Sequence, residues 1–340
     1  GSRNYQSGRK KTPGRERSSG RRRGVSTIGL IDLDDTGFPN LALMKISAWH
    51  KSRGDSVRLL YRAVKVDQLY ASAVFTWNRR KAEVLKSQGA IVGGTGVDLR
   101  GELPAEIEAM RPDYSLYGID YGMGFLMRGC IWQCSFCVVP EKEGTARSVA
   151  SIDDLLNVET DRARPFVVLL DNEFFFKVKW AIDRLGEFTD RGIDFCPSQG
   201  LDIRVMTPKL AAVLAVAPYW NLRHTARQIT FAFDDIRIER QYRRGVELLL
   251  DAGIPGRHLQ SFVLVGFNST IEDDLRRIEI IRSYNIDPYV MVYRDPRTGE
   301  RSSDRQIRHL ARWANRHLYR TIEFSDYRPE VKRCLQPGLL

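Results

Sequence analysis

Cys130, Cys134 and Cys137 are the residues of this 340-residue chain whose type and spacing most directly imply chemistry. They are three of its five cysteines, set Cys-x3-Cys-x2-Cys within Arg128-Gly129-Cys130-Ile131-Trp132-Gln133-Cys134-Ser135-Phe136-Cys137, while Cys196 and Cys334 lie far away in sequence. Three thiolates on one short loop can hold three irons of a 4Fe-4S cubane, whereas a fully protein-bound cluster takes four cysteines. The fourth iron is then open to a substrate or cofactor, as in catalytic metal sites generally. Structural zinc is the competing reading. It wants four closed ligands in paired spacings, and no fourth Cys or His stands near the triplet in sequence.

The spacing, with the aromatic Phe136 ahead of the last cysteine, resembles the signature of the radical S-adenosylmethionine (SAM) enzymes. The resemblance implies that Cys130, Cys134 and Cys137 bind a 4Fe-4S cluster whose unique iron chelates the amino and carboxyl groups of SAM, with Phe136 beside the cofactor. One electron, from a donor such as flavodoxin or ferredoxin, then cleaves SAM to methionine and a 5′-deoxyadenosyl radical that abstracts a hydrogen atom from the substrate.

The elements that must position this loop are α/β. Ser26 to Asp32 reads as a buried strand ending in the acidic loop Asp32 to Asp35. A helix follows, with Pro39 in its first turn, Leu41, Met44, Ile46 and Trp49 at helical spacing, and Gly54 closing it. Strands near Ser56 to Tyr61 and Leu69 to Thr76, a helix near Asn78 to Ser87 and a strand over 90–92 complete a Rossmann-like parallel sheet across 25–102. The turn Gly93-Gly94-Thr95-Gly96 could approach a phosphate, or could be an ordinary strand exit. Residues 103–122, with Pro104, Pro112 and several Gly and Tyr, read as a linker.

From Phe125 the alternation restarts. Candidate strands are Phe125 to Met127, Phe166 to Asp171, Ile193 to Cys196, Gln228 to Asp234, Leu259 to Gly266 and Pro288 to Tyr293; candidate helices are Ile152 to Arg162, Lys177 to Asp190, Pro208 to Val216, Ile236 to Ala252 and Ile271 to Tyr284. This order fits a partial (β/α)6 TIM-like radical SAM barrel over 123–295, whose functional residues sit at the C-terminal strand ends.

The order of the two units resembles the radical SAM subgroup with an N-terminal B12-binding domain. That subgroup carries Asp-x-His-x-x-Gly after the first strand; here Asp32-Leu33-Asp34-Asp35-Thr36-Gly37 keeps the Asp and the Gly without the His. Cobalamin without a lower histidine ligand is therefore the disfavoured alternative, since imidazole normally supplies the metal bond. For SAM, the resemblance points to Asp171, Asn172 and Glu173 as acceptors for its ammonium, with a helix cap as the alternative for the first two. Ser198, Gln199, Asp202 and Arg204 are candidates for ribose or carboxylate, an Asp202–Arg204 surface pair being the other reading. Asp234 would lie near the ribose, Gly266 would let adenine approach the backbone, and Val290 to Tyr293 could offer it backbone groups. Thr270 with Asp273 reads as a capping box.

The formal charge of +11 is uneven. Residues 1–24 contribute +8 as a basic tail that lacks the apolar residues to fold, and 296–340 form a basic helical extension with Arg305, Arg308, Arg312 and Arg316 on one helical face and Trp313 or Tyr319 available to stack a base. These features lean toward an RNA or nucleobase-derived substrate; a solvated tail and face are the alternatives. Sulfur insertion through a second cysteine set is disfavoured, since residues 1–129 hold no cysteine. No apolar run reaches membrane-spanning length, and few cysteines in a metal spacing suit the cytoplasm. Two rival functions stay open: a cobalamin-dependent radical methyltransferase, and a nucleic-acid-binding iron-sulfur protein that leaves SAM intact.

Overall fold

The computed structural model describes residues 24–328. Most of the basic tail, Cys334 and the end of the C-terminal extension lie outside them.

The first unit is a parallel four-stranded sheet. Its strands are β1 (Thr27–Asp32), β2 (Ser56–Leu59), β3 (Gln68–Ser72) and β4 (Ile91–Gly93), in the order β2-β1-β3-β4. Between β1 and β2 runs α1 (Leu41–Ser52), which buries Leu43 and Ile46 against the sheet and Met44 against Tyr114, Met123 and Phe166 on the other side. Its cap is Asn40, whose Oδ1 accepts from the Leu43 N–H, so Pro39 precedes the helix rather than opening it. Gly54, at φ +84°, ends it as expected. Helix α2 (Arg79–Ser87) connects β3 to β4. The expected strand from Leu69 to Thr76 stops at Ser72 because Asp34 intercepts the next amides: its carboxylate accepts from Val74 N–H at 2.6 Å and Phe75 N–H at 3.4 Å.

The segment expected as a linker is folded. It contains α3 (Ala105–Glu108), and the buried Tyr114 accepts from Met123 N–H at 3.2 Å and donates to Leu155 O at 2.5 Å.

The second unit opens with β5 (Gly122–Gly124), earlier in sequence than the expected Phe125 to Met127. Gly-Met-Gly carries little strand preference, but a Cβ on Gly122 would lie 2.1 Å from Leu155 O, so only glycine fits. Met127–Arg128 instead form β6, antiparallel to β7 (Arg147–Ser148), and this short ladder closes the base of the cysteine loop and of α4 (Val139–Lys142). The helix expected over Ile152 to Arg162 is a single turn, α5 (Ile152–Leu155); beyond it the Asn157 side chain accepts from Glu159 N–H, a local bond that competes with helix.

Thereafter the periodicity holds. In order come β8 (Phe166–Leu169), α6 (Val178–Asp190), β9 (Asp194–Pro197), α7 (Pro208–Val216), β10 (Ile229–Ala232), α8 (Glu239–Asp251), β11 (Leu259–Val265), α9 (Ile271–Ser283), β12 (Asp287–Val292) and α10 (Arg305–Asn315). Strands β5-β8-β9 and β10-β11-β12 form two parallel sheets, joined where Leu201 bridges Phe231 through bonds of 2.9 and 3.0 Å. β8 and β9 are buried throughout, as in parallel sheets covered on both faces. Thr270 and Asp273 form the expected capping box.

The C-terminal extension departs from expectation. Trp313 and Tyr319 are core residues, Trp313 donating to Ile322 O and Tyr319 to Asp287, so neither offers a face to a base. Arg305, Arg312 and Arg316 are exposed. Asn315 takes up both backbone groups of Val290, at 2.7 and 2.9 Å, which removes them from any adenine. Among the described residues no helix is long and apolar enough to cross a membrane.

Candidate functional site

The cysteine loop is held from behind. At the exit of β8, Asp171 Oδ1 accepts from the amides of Leu126 (2.7 Å) and Met127 (3.1 Å), and Asn172 Oδ1 accepts from Gly129 N–H (3.0 Å). Gly129 has φ +80°, and a Cβ there would meet Thr145 O at 2.4 Å, so the residue before Cys130 has to be glycine. Arg128 forks to Glu143 and Glu108 and lies 4.0 Å from the centre of the Phe125 ring. Asp171 and Asn172 are thus loop anchors, not helix caps. The second Asp171 oxygen is buried without a partner, and burial pushes the carboxyl up to about 7 against the pull of the two amides.

The three thiols are free and half-buried. Trp132 N–H points at Cys130 Sγ and Val139 N–H at Cys137 Sγ, each at 3.4 Å, the kind of donor that stabilises a metal-bound thiolate. Burial raises all three thiol pKa values, Cys130 to about 11, while the charge of Arg204 pulls Cys134 down. Among the described residues no three His, Cys, Asp or Glu side chains converge so as to hold one metal ion. Zinc requires such a common point. A cubane takes each thiolate on its own iron, and Cys130, Cys134 and Cys137 supply three such ligands on one loop with amides aimed at two of the sulfurs.

Next to the thiols lie buried carboxylates carried by successive strand ends. Glu173, only 4% exposed, accepts from Phe175 N–H at 2.9 Å; burial first, then the charge of Asp202, pushes it up to about 8. Asp202 is buried and forked by Arg204, with bonds of 2.9 Å to Oδ1 and 2.7 Å to Oδ2, so the pair is not a surface one. Arg204 stacks on Trp132, its guanidinium carbon 3.7 Å from the ring centre. Asp234 accepts from Leu264 N–H at 2.9 Å and is pushed up to about 6 by burial. Behind it the fully buried Arg277 bonds Phe233 O and Leu264 O, each at 2.8 Å, and Asp274.

The field of Glu173 reaches Cys130, that of Asp234 reaches Cys134 and Cys137, and those of Asp202 and Arg204 reach Cys134. The structure therefore brings these residues together. Ser198 is turned back onto Leu169 O at 2.7 Å, and Gln199 is exposed. Gly266 has φ +77° and re-aims the chain so that Phe267 packs on Phe136, ring centres 5.8 Å apart, with Tyr293 beyond at 4.7 Å. Trp132, Phe267 and Arg277 were given no role by the sequence reading, and Tyr293 was expected to offer its backbone, whereas its ring is what packs here. Only Trp132 carried a signal, an aromatic between the ligands. Two surface depressions, by Asp120 and Arg162 and by Val64 and Gly89, touch none of these residues.

The site thus sets three thiols and the carboxylates of Glu173, Asp202 and Asp234 around the guanidinium of Arg204, with that of Arg277 behind Asp234. Burial that raises Glu173 and Asp234 marks a place that would accept a cationic guest.

No family model matches the chain, and no curated protein matches it in sequence. Among solved structures, the chain is similar to the apo, selenomethionine-labelled cobalamin-dependent S-adenosylmethionine radical enzyme OxsB, with TM-score 0.48 and 13% identity over 75% of this chain and 51% of that one. The chain spans about half the length of that enzyme.

Proposed function

We propose that this chain is a radical SAM enzyme, built as a Rossmann-like unit (25–102), a connecting segment (103–122) and a partial (β/α)6 barrel (123–295). One observation carries the reading: Cys130, Cys134 and Cys137, in a spacing that leaves one iron of a cubane open, share their surroundings with Glu173, Asp202, Arg204 and Asp234 at the C-terminal ends of successive parallel strands.

When bound, the cluster and SAM supply a 5′-deoxyadenosyl radical through one-electron cleavage. The chain's own residues bind and orient. Glu173 accepts the SAM ammonium, a cation that relieves the burial of its carboxylate. Arg204, held by Asp202 and stacked on Trp132, acts on Cys134 through its charge and would pair with the carboxylate of bound SAM. Asp234 serves the ribose. Asp171 and Asn172 hold the loop, and Phe136 packs edge-on against Phe267 beside it. No cobalamin enters this reading: the loop after β1 has no histidine, and Asp34 is committed to Val74, Phe75 and Asn78. A flavodoxin or ferredoxin would deliver the electron, in the cytoplasm.

Anaerobic reconstitution with iron and sulfide, reduction with dithionite and addition of SAM tests it. The expected result is 5′-deoxyadenosine, lost in Cys134→Ala and cut at least tenfold in Glu173→Gln, roughly one charge-assisted hydrogen bond. An intact cluster that leaves SAM whole overturns it in favour of a nucleic-acid-binding iron-sulfur protein. Methyl transfer that requires added cobalamin overturns it in favour of the methyltransferase.

A further inference from the structure

Above β1 and β3, at the C-terminal end of the first sheet, the chain exposes an apolar group it could have buried. Val74 is 47% exposed, Phe75 38% and Trp77 51%, and the rings of Phe75 and Trp77 lie parallel, 4.2 Å apart at 7°. Adjacent exposed aromatics on a folded unit call for a partner. Their position is informative. With the order β2-β1-β3-β4, the strand sequence reverses between β1 and β3, and open parallel sheets bind ligands outside the carboxyl ends at such a point.

This group is rigidly built. From one side Asp34 holds Val74 N–H, Phe75 N–H and Asn78 Nδ2, the last at 2.8 Å. From the other side the glycine turn packs on its backbone: a Cβ on Gly94 would lie 2.3 Å from Ala73 O, and one on Gly96 2.4 Å from Phe75 C. The glycines that could have cradled a phosphate thus back the aromatic loop. The guanidinium carbon of Arg294 lies 4.6 Å from the centre of Trp77, whose opposite face is covered by Phe75. Arg294 follows Tyr293, which packs on Phe267 and through it on Phe136 in the cysteine loop. Consecutive residues thus touch the cysteine loop and this shelf, Tyr293 through Phe267 and Arg294 through Trp77.

Charge selects the occupant. Arg80 and Lys81 are exposed in the first turn of α2 and make no ion pair among the described residues. Cations at a helix start oppose the helix dipole, so they do not serve the helix; they suit an anion. A flat ring to extend the stack and an anion beside it together describe a nucleotide.

We propose that the outer face of Phe75, in the stack it forms with Trp77, takes the base of a nucleotide substrate whose phosphate is taken by Arg80 and Lys81, three and four residues beyond Trp77 at the start of α2. As substrate assignment this rests on the radical SAM reading; as binding it stands alone, and it is tested without cluster or SAM cleavage. The probe is guanosine 5′-monophosphate (GMP), titrated calorimetrically into the cluster-free full chain under saturating S-adenosylhomocysteine, which blocks adenosine-type binding at the cysteine site. The expected result is saturable binding that ribose 5-phosphate does not displace. Phe75→Leu with Trp77→Leu should weaken it about tenfold or more, the low end for loss of base stacking, and Trp77→Phe should weaken it far less. Arg80→Gln with Lys81→Gln should weaken GMP but not guanosine. No binding at millimolar GMP, or equal affinity in wild type and the leucine pair, overturns the proposal. So does saturable binding of hydroxocobalamin, lost in the leucine pair, in place of GMP.

Discussion

Asp171 acts on the cysteines through two backbone amides, and its carboxyl keeps its proton in the fold to about pH 7 instead of the ordinary 3.8. Above the ordinary value the unfolded chain has released this proton while the folded chain still holds it. Stability therefore falls as pH rises from about 4 toward about 7, and then levels. Asp171→Asn removes that slope: between about pH 5 and pH 8 the cluster-free wild type should lose more melting temperature than the variant, and parallel curves would contradict the cause. Gly129→Ala should cost about 2 kcal/mol or more through the left-handed backbone and the Thr145 contact, and should lower iron bound per chain. At this scale the grouping of Cys130, Cys134 and Cys137 on one short loop was legible, because eight residues of sequence cannot carry them far apart. The duty of Asp171 and Asn172 was not, because the amides they hold lie more than forty residues away in sequence.

The strand ends are tied together by α9. Arg277 binds carbonyls at the ends of β10 and β11 and the buried carboxylate of Asp274, so Arg277→Met should cost about 3–5 kcal/mol by leaving that charge unpaired. Thr270→Ala, which breaks the capping box of the same helix, should cost about 1 kcal/mol. Urea unfolding of the two variants at neutral pH compares them; equal losses would mean that Arg277 is not the tie. Elements from β8 to α9 were legible because their apolar residues repeat at strand and helix periods. β5 and the β6–β7 ladder were not: Gly-Met-Gly is a strand only because Leu155 O crowds it, and a two-residue ladder has no period to read.

Across the whole molecule, Arg294 on Trp77 joins the first unit to the second directly, while Glu108 and Tyr114 of the connecting segment join it through α1, ionically and by packing on Met44. Glu108 links Lys45 of α1 to Arg128 beside the cysteines, but it is 43% exposed, and Glu108→Gln should cost less than about 1 kcal/mol. Tyr114→Phe strands the buried Leu155 carbonyl and Met123 amide and should cost about 1–3 kcal/mol. Calorimetry of both variants decides whether the buried hydroxyl or the ionic clasp binds the units; a larger loss for Glu108→Gln would reverse the assignment. The sequence of this region reads as connector because Pro, Gly and Tyr carry no period, and Trp313 and Tyr319 read as surface aromatics because arginines surround them. Burial decided both. A last consequence concerns α10, whose Asn315 occupies the outer backbone groups of β12. A chain cut short before Arg305 would leave the outer N–H and C=O of Val290 open to the same strand of another copy, so loss of the helix should raise self-association, read as a mass that grows with concentration.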